Sequence, residues 1–173
     1  MNSPLLGNLE RDSEINEWLL SPPVPVPYFN GLRLPFVLQE IEEDSCPADF
    51  EAAVGRFIRL GSAEREHAGN YVFRLYRRYT HMITDDGADV SIPSASAVWD
   101  YVTPTEIHVS RRRRDRLVYV EIHAECRWDI EHGLVVIYRD GSILSRVSEF
   151  DGHVTTSDAF GLAEEKDTIV YEG

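Results

Sequence analysis

Two hydrophobic periods alternate along the chain. Residues 5–20 carry Leu5, Leu9, Ile15, Trp18 and Leu20 as isolated apolar points and predict a short hairpin or meander, ended by Ser21-Pro22-Pro23, because proline fixes φ and removes a backbone donor. Val24-Pro25-Val26-Pro27-Tyr28 can only be extended, at a sheet edge or off the sheet. Asn30-Gly31 is a type I′ hairpin signal. Leu32, Leu34, Phe36 and Leu38 then alternate with Arg33, Pro35, Val37 and Gln39, which predicts one strand with one apolar face, Pro35 pointing to an edge.

The period changes at Cys46-Pro47, where proline suits a first helical position. Phe50, Ala53, Val54, Phe57 and Ile58 fall at i, i+3, i+4, i+7 and i+8, one face of a helix. Gly61 ends it and Ser62 can cap a second helix, whose stripe is Ala68, Val72, Leu75, Tyr76, Tyr79 and Ile83, with Arg74, Arg77 and Arg78 outside the stripe. Asp85-Asp86-Gly87 reads as a turn and 87–97 as a loop, with apolar character returning at Trp99, Tyr101 and Val102.

From Thr105 the pattern is β. Glu106–Ser110 and Leu117–Glu125 predict a long hairpin around the Arg111–Arg116 tip. Leu134–Tyr138 is apolar on both faces, as a central, doubly covered strand should be. Asp140-Gly141 signals a second type I′ turn, which would set Tyr138 opposite Ile143 and Leu134 opposite Val147. Thr155–Asp158 can cap a short helix, and Ile169–Tyr171 can add a late strand. The fold expected is one α+β domain, an antiparallel sheet or sheets with an inserted helical hairpin: an N-terminal β-meander (1–44), the helical hairpin (46–84), C-terminal β-hairpins (97–152) and a weakly defined tail (153–173).

Between the two hairpins lies the chemically densest stretch, Cys126-Arg127-Trp128-Asp129-Ile130-Glu131-His132-Gly133-Leu134. Alternation puts Val118, Val120, Ile122, Ala124 and Cys126 on one strand face and Tyr119, Glu121, His123 and Glu125 on the other. Cys126 therefore reads as a small core residue before it reads as a nucleophile. Glu121, His123 and Glu125 are the metal candidates, able to converge on Zn²⁺ or Mn²⁺, against the plainer reading of a solvated face with cross-strand salt bridges. Trp128 is expected to pack over the core edge and Gly133 to supply a positive φ or a close backbone approach. Glu131 or His132 would tie down loop amides. The functional alternative has His132 moving protons, oriented by Glu131 or Asp129. Asp151-Gly152-His153 is a turn before it is an acid–base pair.

At Cys126-x-Trp128-x-x-Glu131-His132-Gly133-Leu134, followed by Asp140-Gly141, the chain resembles a family of uncharacterised bacterial domains with a cysteine–tryptophan–glutamate–histidine–glycine signature after a β-hairpin. The likeness covers residues 97–152, and 5–85 in general layout. It implies an α+β domain with a helical pair beside an antiparallel sheet, and no established activity. Related small acidic bacterial proteins are sometimes encoded near secreted toxins and act as immunity proteins, so the resemblance suggests an immunity-type role by association.

Composition narrows the functional classes. The 173 residues suffice for one domain, and 30 acidic against 17 basic residues give a formal charge of −13. That charge repels phosphate backbones and anionic membranes, so a nucleic-acid or membrane partner is not expected; it would favour a basic protein partner through steering, against the plainer reading that it serves solubility alone. Five of the basic residues sit in the 111–116 tip, which leaves the remaining surface still more acidic. No apolar run approaches the ~18–20 residues of a membrane span, and no secretory leader is evident, so a cytoplasmic location and free thiols at Cys46 and Cys126 are expected. Phosphate loops, nucleophile elbows and Cys-x-x-Cys pairs are missing from the sequence. The leading expectation is a non-catalytic protein-binding or immunity-type module needing no cofactor. The alternative is a metal-dependent hydrolase drawing on Glu121, His123, Glu125, His132 and His153.

Overall fold

The computed structural model describes residues 1–82 and 90–172. Ile83 and the expected Asp85-Asp86-Gly87 turn lie outside the described residues. Eleven short to medium strands occur among them: β1 (Asn2–Ser3), β2 (Gly7–Asn8), β3 (Glu10–Arg11), β4 (Trp18–Leu20), β5 (Val24–Val26), β6 (Leu32–Leu34), β7 (Phe36–Gln39), β8 (Val102–Arg111), β9 (Val118–Cys126), β10 (Asp129–Arg139) and β11 (Ile143–Ser148). The helices are α1 (Ala48–Phe57), α2 (Ser62–Met82) and α3 (Thr156–Phe160). The fold is α+β.

Seven strands form one sheet in the order β11-β10-β9-β8-β7-β4-β3. The N-terminal meander and the C-terminal hairpins are thus halves of a single sheet. Every pairing in it is antiparallel except β7–β8, which sets Phe36 against Ile107 and Leu38 against Val109 in parallel. Parallel neighbours need a long crossover, and α1, α2 and a 3₁₀ segment at Ala95–Tyr101 lie in that connection.

The expected strand over 32–39 is two strands. Pro35 separates β6, which pairs with β5 in its own two-stranded ribbon, from β7, which lies between β4 and β8. Proline cannot donate to a ladder. Its carbonyl still accepts from Ile107 N–H, which starts the parallel pairing. The β5–β6 connection is also longer than a two-residue turn. Val26 pairs with Leu32, and Pro27–Phe29 form a 3₁₀ turn closed by Asn30 at positive φ.

One sheet face packs against the helices. Phe50, Ala53, Val54 and Phe57 of α1 and Ala68, Val72, Leu75 and Tyr76 of α2 are buried against Phe36, Leu38, Ile107, Val109, Val120, Ile122, Leu134 and Val136. Each such large apolar side chain contributes about 1.5–3 kcal/mol. Tyr138 donates its hydroxyl to Tyr28 at 3.1 Å within this core, meeting the polar tip's need for a partner.

The β10–β11 hairpin departs from the expected register. Arg139 pairs with Ile143, Tyr138 with Leu144 and Val136 with Val147, with an irregularity between Ile137 and Tyr138. The turn of this hairpin docks on α1. Arg56 donates to the Asp140 carbonyl at 2.7 Å and also pairs with the Asp140 carboxylate. Gly141, at φ 73°, lies so close to the Ala53 carbonyl that a Cβ would fall 2.0 Å from it.

The opposite sheet face is covered at Tyr119 and Glu121 and partly at His123, contrary to the plainer expectation of a solvated face, and stays open at Glu125. The chain after β11 folds back over it, seating Val154 against Tyr119, Val135 and Ile137. Arg146, 2% exposed on this face, is held by both oxygens of Asp151, with Oδ1 at 2.7 Å, and by the His153 carbonyl. Thr155 caps α3 by accepting from Asp158 N–H, as the sequence suggests. Ile169–Tyr171 is not a strand, and its link to the sheet is the Val147 N–H bond to the Ile169 carbonyl.

Candidate functional site

The stretch Cys126–Leu134 is a bend entering β10. Cys126 pairs with Asp129 across the two-residue turn Arg127-Trp128, and the register then shifts between Asp129 and Leu134. Asp129, buried, closes the bulge: its Oδ1 accepts the His132 backbone N–H at 3.1 Å, and both oxygens lie within 3.2 Å of His132 Nδ1. Gly133 takes φ 68°, and a Cβ there would stand 2.7 Å from the Ala124 carbonyl oxygen. Trp128 is buried edge-on against Tyr76 with centroids 5.7 Å apart.

Asp129 therefore performs the anchoring that the sequence assigns to Glu131 or His132. Glu131 is exposed, and the His132 side chain is 59% exposed. Cys126 belongs to the core, its thiol donating to the Asp129 carbonyl at 3.3 Å. Burial pushes that thiol up to about 11, so it stays protonated near neutrality. Both cysteines are free, Cys46 exposed and Cys126 buried.

The second concentration of chemistry lies on the polar sheet face. An irregularity between Pro104 and Glu106 sets Glu106 directly opposite His123 and His108 opposite Glu121. Such a bulge re-aims side chains. Here it gathers Glu106 and His108 of β8 with His123 of β9, one ligand-type atom from each lying within 4.8 Å of the others. His108 is buried, with Nε2 2.7 Å from Glu106 Oε1 and Nδ1 2.8 Å from the Gln39 side-chain nitrogen. With the amide donating to Nδ1, the ring proton sits on Nε2 and is donated to Glu106. That hydrogen bond holds the Glu106 carboxyl below its ordinary range. Trp18 meets His108 edge-on at 5.3 Å, and Phe150 leans on His123 at 5.1 Å.

His123 Nε2 is buried and without a hydrogen-bond partner. The Glu121 carboxylate stands 3.5 Å away, its other oxygen accepting from Ser110 at 3.1 Å. Of the three metal candidates read on one strand, the structure thus retains His123 at the cluster, holds Glu121 beside it and leaves Glu125 exposed. Glu106 and His108 were missed because they belong to the neighbouring strand. The signal was the Glu106-Ile107-His108 alternation, readable only with the cross-strand register.

Three arginines of the basic tip are paired with the protein's own carboxylates. Arg111 bonds Asp44 at 2.7 Å and Asp49 at 2.8 Å. Arg112, 7% exposed, takes both oxygens of Asp158 at 2.6 and 2.9 Å, with Asp115 at 2.9 Å and Glu164 at 3.0 Å. Arg114 reaches Glu164 at 3.1 Å.

A family model described as Domain of unknown function (DUF6985) matches residues 5–154. The chain belongs to this family. No curated protein and no solved structure matches it. The DUF6985 match takes in both the 126–134 bend and the Glu106–His108–His123 cluster, whereas Asp158 and Glu164, which hold Arg112, follow the matched stretch.

Proposed function

We propose that this DUF6985 protein is a non-catalytic module that binds a basic protein partner. One observation supports this reading above others: the acidic excess collects at the β3–β4 end of the sheet. Glu10, Glu14, Glu17, Glu40, Glu42 and Glu43 are exposed there, and among the described residues the one ion pair in that group is Arg11–Glu42 at 2.6 Å. Arg111, Arg112 and Arg114 of the 111–116 tip are engaged with other carboxylates, so that of the tip only Arg113 and Arg116, which line a cleft with Glu40 and Glu43, bring positive charge to this end of the sheet. An acidic edge of this kind steers a cationic partner and fixes its orientation. An immunity-type role, masking a basic toxin, is one instance of the same reading. No helix among the described residues is long and apolar enough to cross a membrane.

Affinity capture with the wild-type chain and with a Glu10→Lys/Glu14→Lys/Glu17→Lys/Glu43→Lys variant tests the proposal. The expected result is a captured protein of basic isoelectric point, released by high salt and not held by the variant. A partner held equally by both chains overturns it.

A further inference from the structure

We propose that Glu106, His108 and His123 form a binding site for a Zn²⁺-class divalent cation on the polar face of the sheet. Three observations converge on it. The bulge at Thr105 brings together three ligands of two types that zinc accepts, two imidazoles and a carboxylate, on adjacent strands. His123 Nε2 is buried without a hydrogen bond, the Glu121 carboxylate standing 3.5 Å off, whereas a fold normally satisfies such an atom. The third is Gln39, which grips the far nitrogen of His108 in the position where metal-bound imidazoles carry an orienting hydrogen bond.

In the metal-free protein a proton occupies the place of the cation, shared between His108 Nε2 and Glu106 Oε1 at 2.7 Å. Binding displaces that proton. The His108 ring then carries its hydrogen on Nδ1, and the Gln39 amide turns over to present its oxygen to it. Tetrahedral zinc with ligand bonds of about 2.0–2.2 Å needs donor atoms roughly 3.4 Å apart. The cluster therefore contracts from its spread of up to 4.8 Å, with the stacked rings splaying apart. The Glu106 side chain is 39% exposed and marks the side open to solvent, where water fills the fourth position. Glu121, 3.5 Å from His123, adds negative charge without joining the three ligands. The cation would clamp β8 to β9, with Gln39 of β7 as the positioning residue.

Zn²⁺ titration by calorimetry and Co²⁺ titration by visible absorption test the site on the full chain. One equivalent of metal is expected, with Co²⁺ bands of a low-coordinate nitrogen–oxygen site. His108→Ala and His123→Ala should each weaken binding by more than about 100-fold. Gln39→Leu should weaken it by about 10–100-fold, and Gln39→Glu should restore or tighten it. A His132→Ala/His153→Ala chain, lacking two exposed imidazoles, should bind as wild type. If a histidine variant fails to fold, Glu106→Gln and the Gln39 pair give the same reading from the rim. Failure to bind at millimolar Zn²⁺, or binding unchanged in folded His108→Ala and Glu106→Gln chains, overturns the proposal.

Discussion

The imidazoles of His108 and His123 lie face to face, their centroids 4.0 Å apart and their planes 8° from parallel. They are diagonal neighbours, since His123 stands opposite Glu106 and His108 opposite Glu121 in the ladder. The stack is pinned at one end by Gln39 and Glu106 and at the other by Phe150. Nitrogen-15 spectra of the metal-free protein should therefore show His108 as the Nε2-protonated tautomer, and Gln39→Leu should remove that preference. A His108 ring protonated on Nδ1 in the wild-type chain would contradict the network.

Cys126 should resist thiol reagents. Its sulfur is buried, donates to Asp129 and is pushed up to about 11, whereas Cys46 is exposed. Iodoacetamide at mildly alkaline pH is expected to label Cys46 alone in the folded chain, with both thiols reacting in urea. Rapid labelling of Cys126 under native conditions would restore the nucleophile reading.

Asp129 and His132 should separate in a stability assay although they touch. Asp129→Ala strips the buried acceptor from the His132 N–H and should cost about 1–3 kcal/mol. His132→Ala removes an exposed ring and should cost under about 1 kcal/mol. Urea midpoints for the two variants decide it. Equal losses would make the imidazole, not the carboxylate, the anchor.

Gly141→Ala should be the most damaging glycine substitution on the β10–β11 side. Its Cβ would meet the Ala53 carbonyl at 2.0 Å, against 2.7 Å from the Ala124 oxygen for Gly133→Ala, and both positions have positive φ. The backbone term alone costs about 1–2 kcal/mol. Overlap with helix backbone adds about 1–3 kcal/mol at Gly141, because the turn must lift from α1. A Gly141→Ala chain as stable as Gly133→Ala would mean that the turn is not docked.

Acid should loosen the clasp on Arg112. The Arg112 hydrogen bond, working against burial, holds the Asp158 carboxyl below its ordinary range. Asp44 is lowered in the same way by Arg111. A lowered folded-state pKa stabilises the protein above the unfolded value near pH 4 and is lost as pH falls through the folded value. Asp158→Asn should therefore destabilise the chain at neutral pH, by about 1–3 kcal/mol since Arg112 keeps Asp115 and Glu164, and should flatten the fall in stability below about pH 4. An acid limb identical to wild type would remove Asp158 from the clasp.

Local patterns carried much of this fold. The α1 stripe from Phe50 to Phe57, the two faces of β9 and the positive φ of Gly133 all follow from spacing and residue type within a few positions. Long-range partners did not. Nothing near Pro35 reveals that β7 will lie beside β8 in parallel, and nothing near Asp140 reveals that Arg56 will draw the turn onto a helix. The polar face misled for the same reason. Its cover is the chain after residue 148, and its third and fourth polar partners stand on other strands. The acidic balance was readable from composition, but its concentration at the β3–β4 end required the sheet order.

Amide hydrogen exchange on the chain alone and in complex with its captured partner tests the binding role most directly. The account predicts new protection across residues 10–20 and 40–43, where the exposed carboxylates collect, with exchange in the 126–134 bend unchanged. Protection confined to the 126–134 bend, with the acidic edge exchanging as in the free protein, would contradict it.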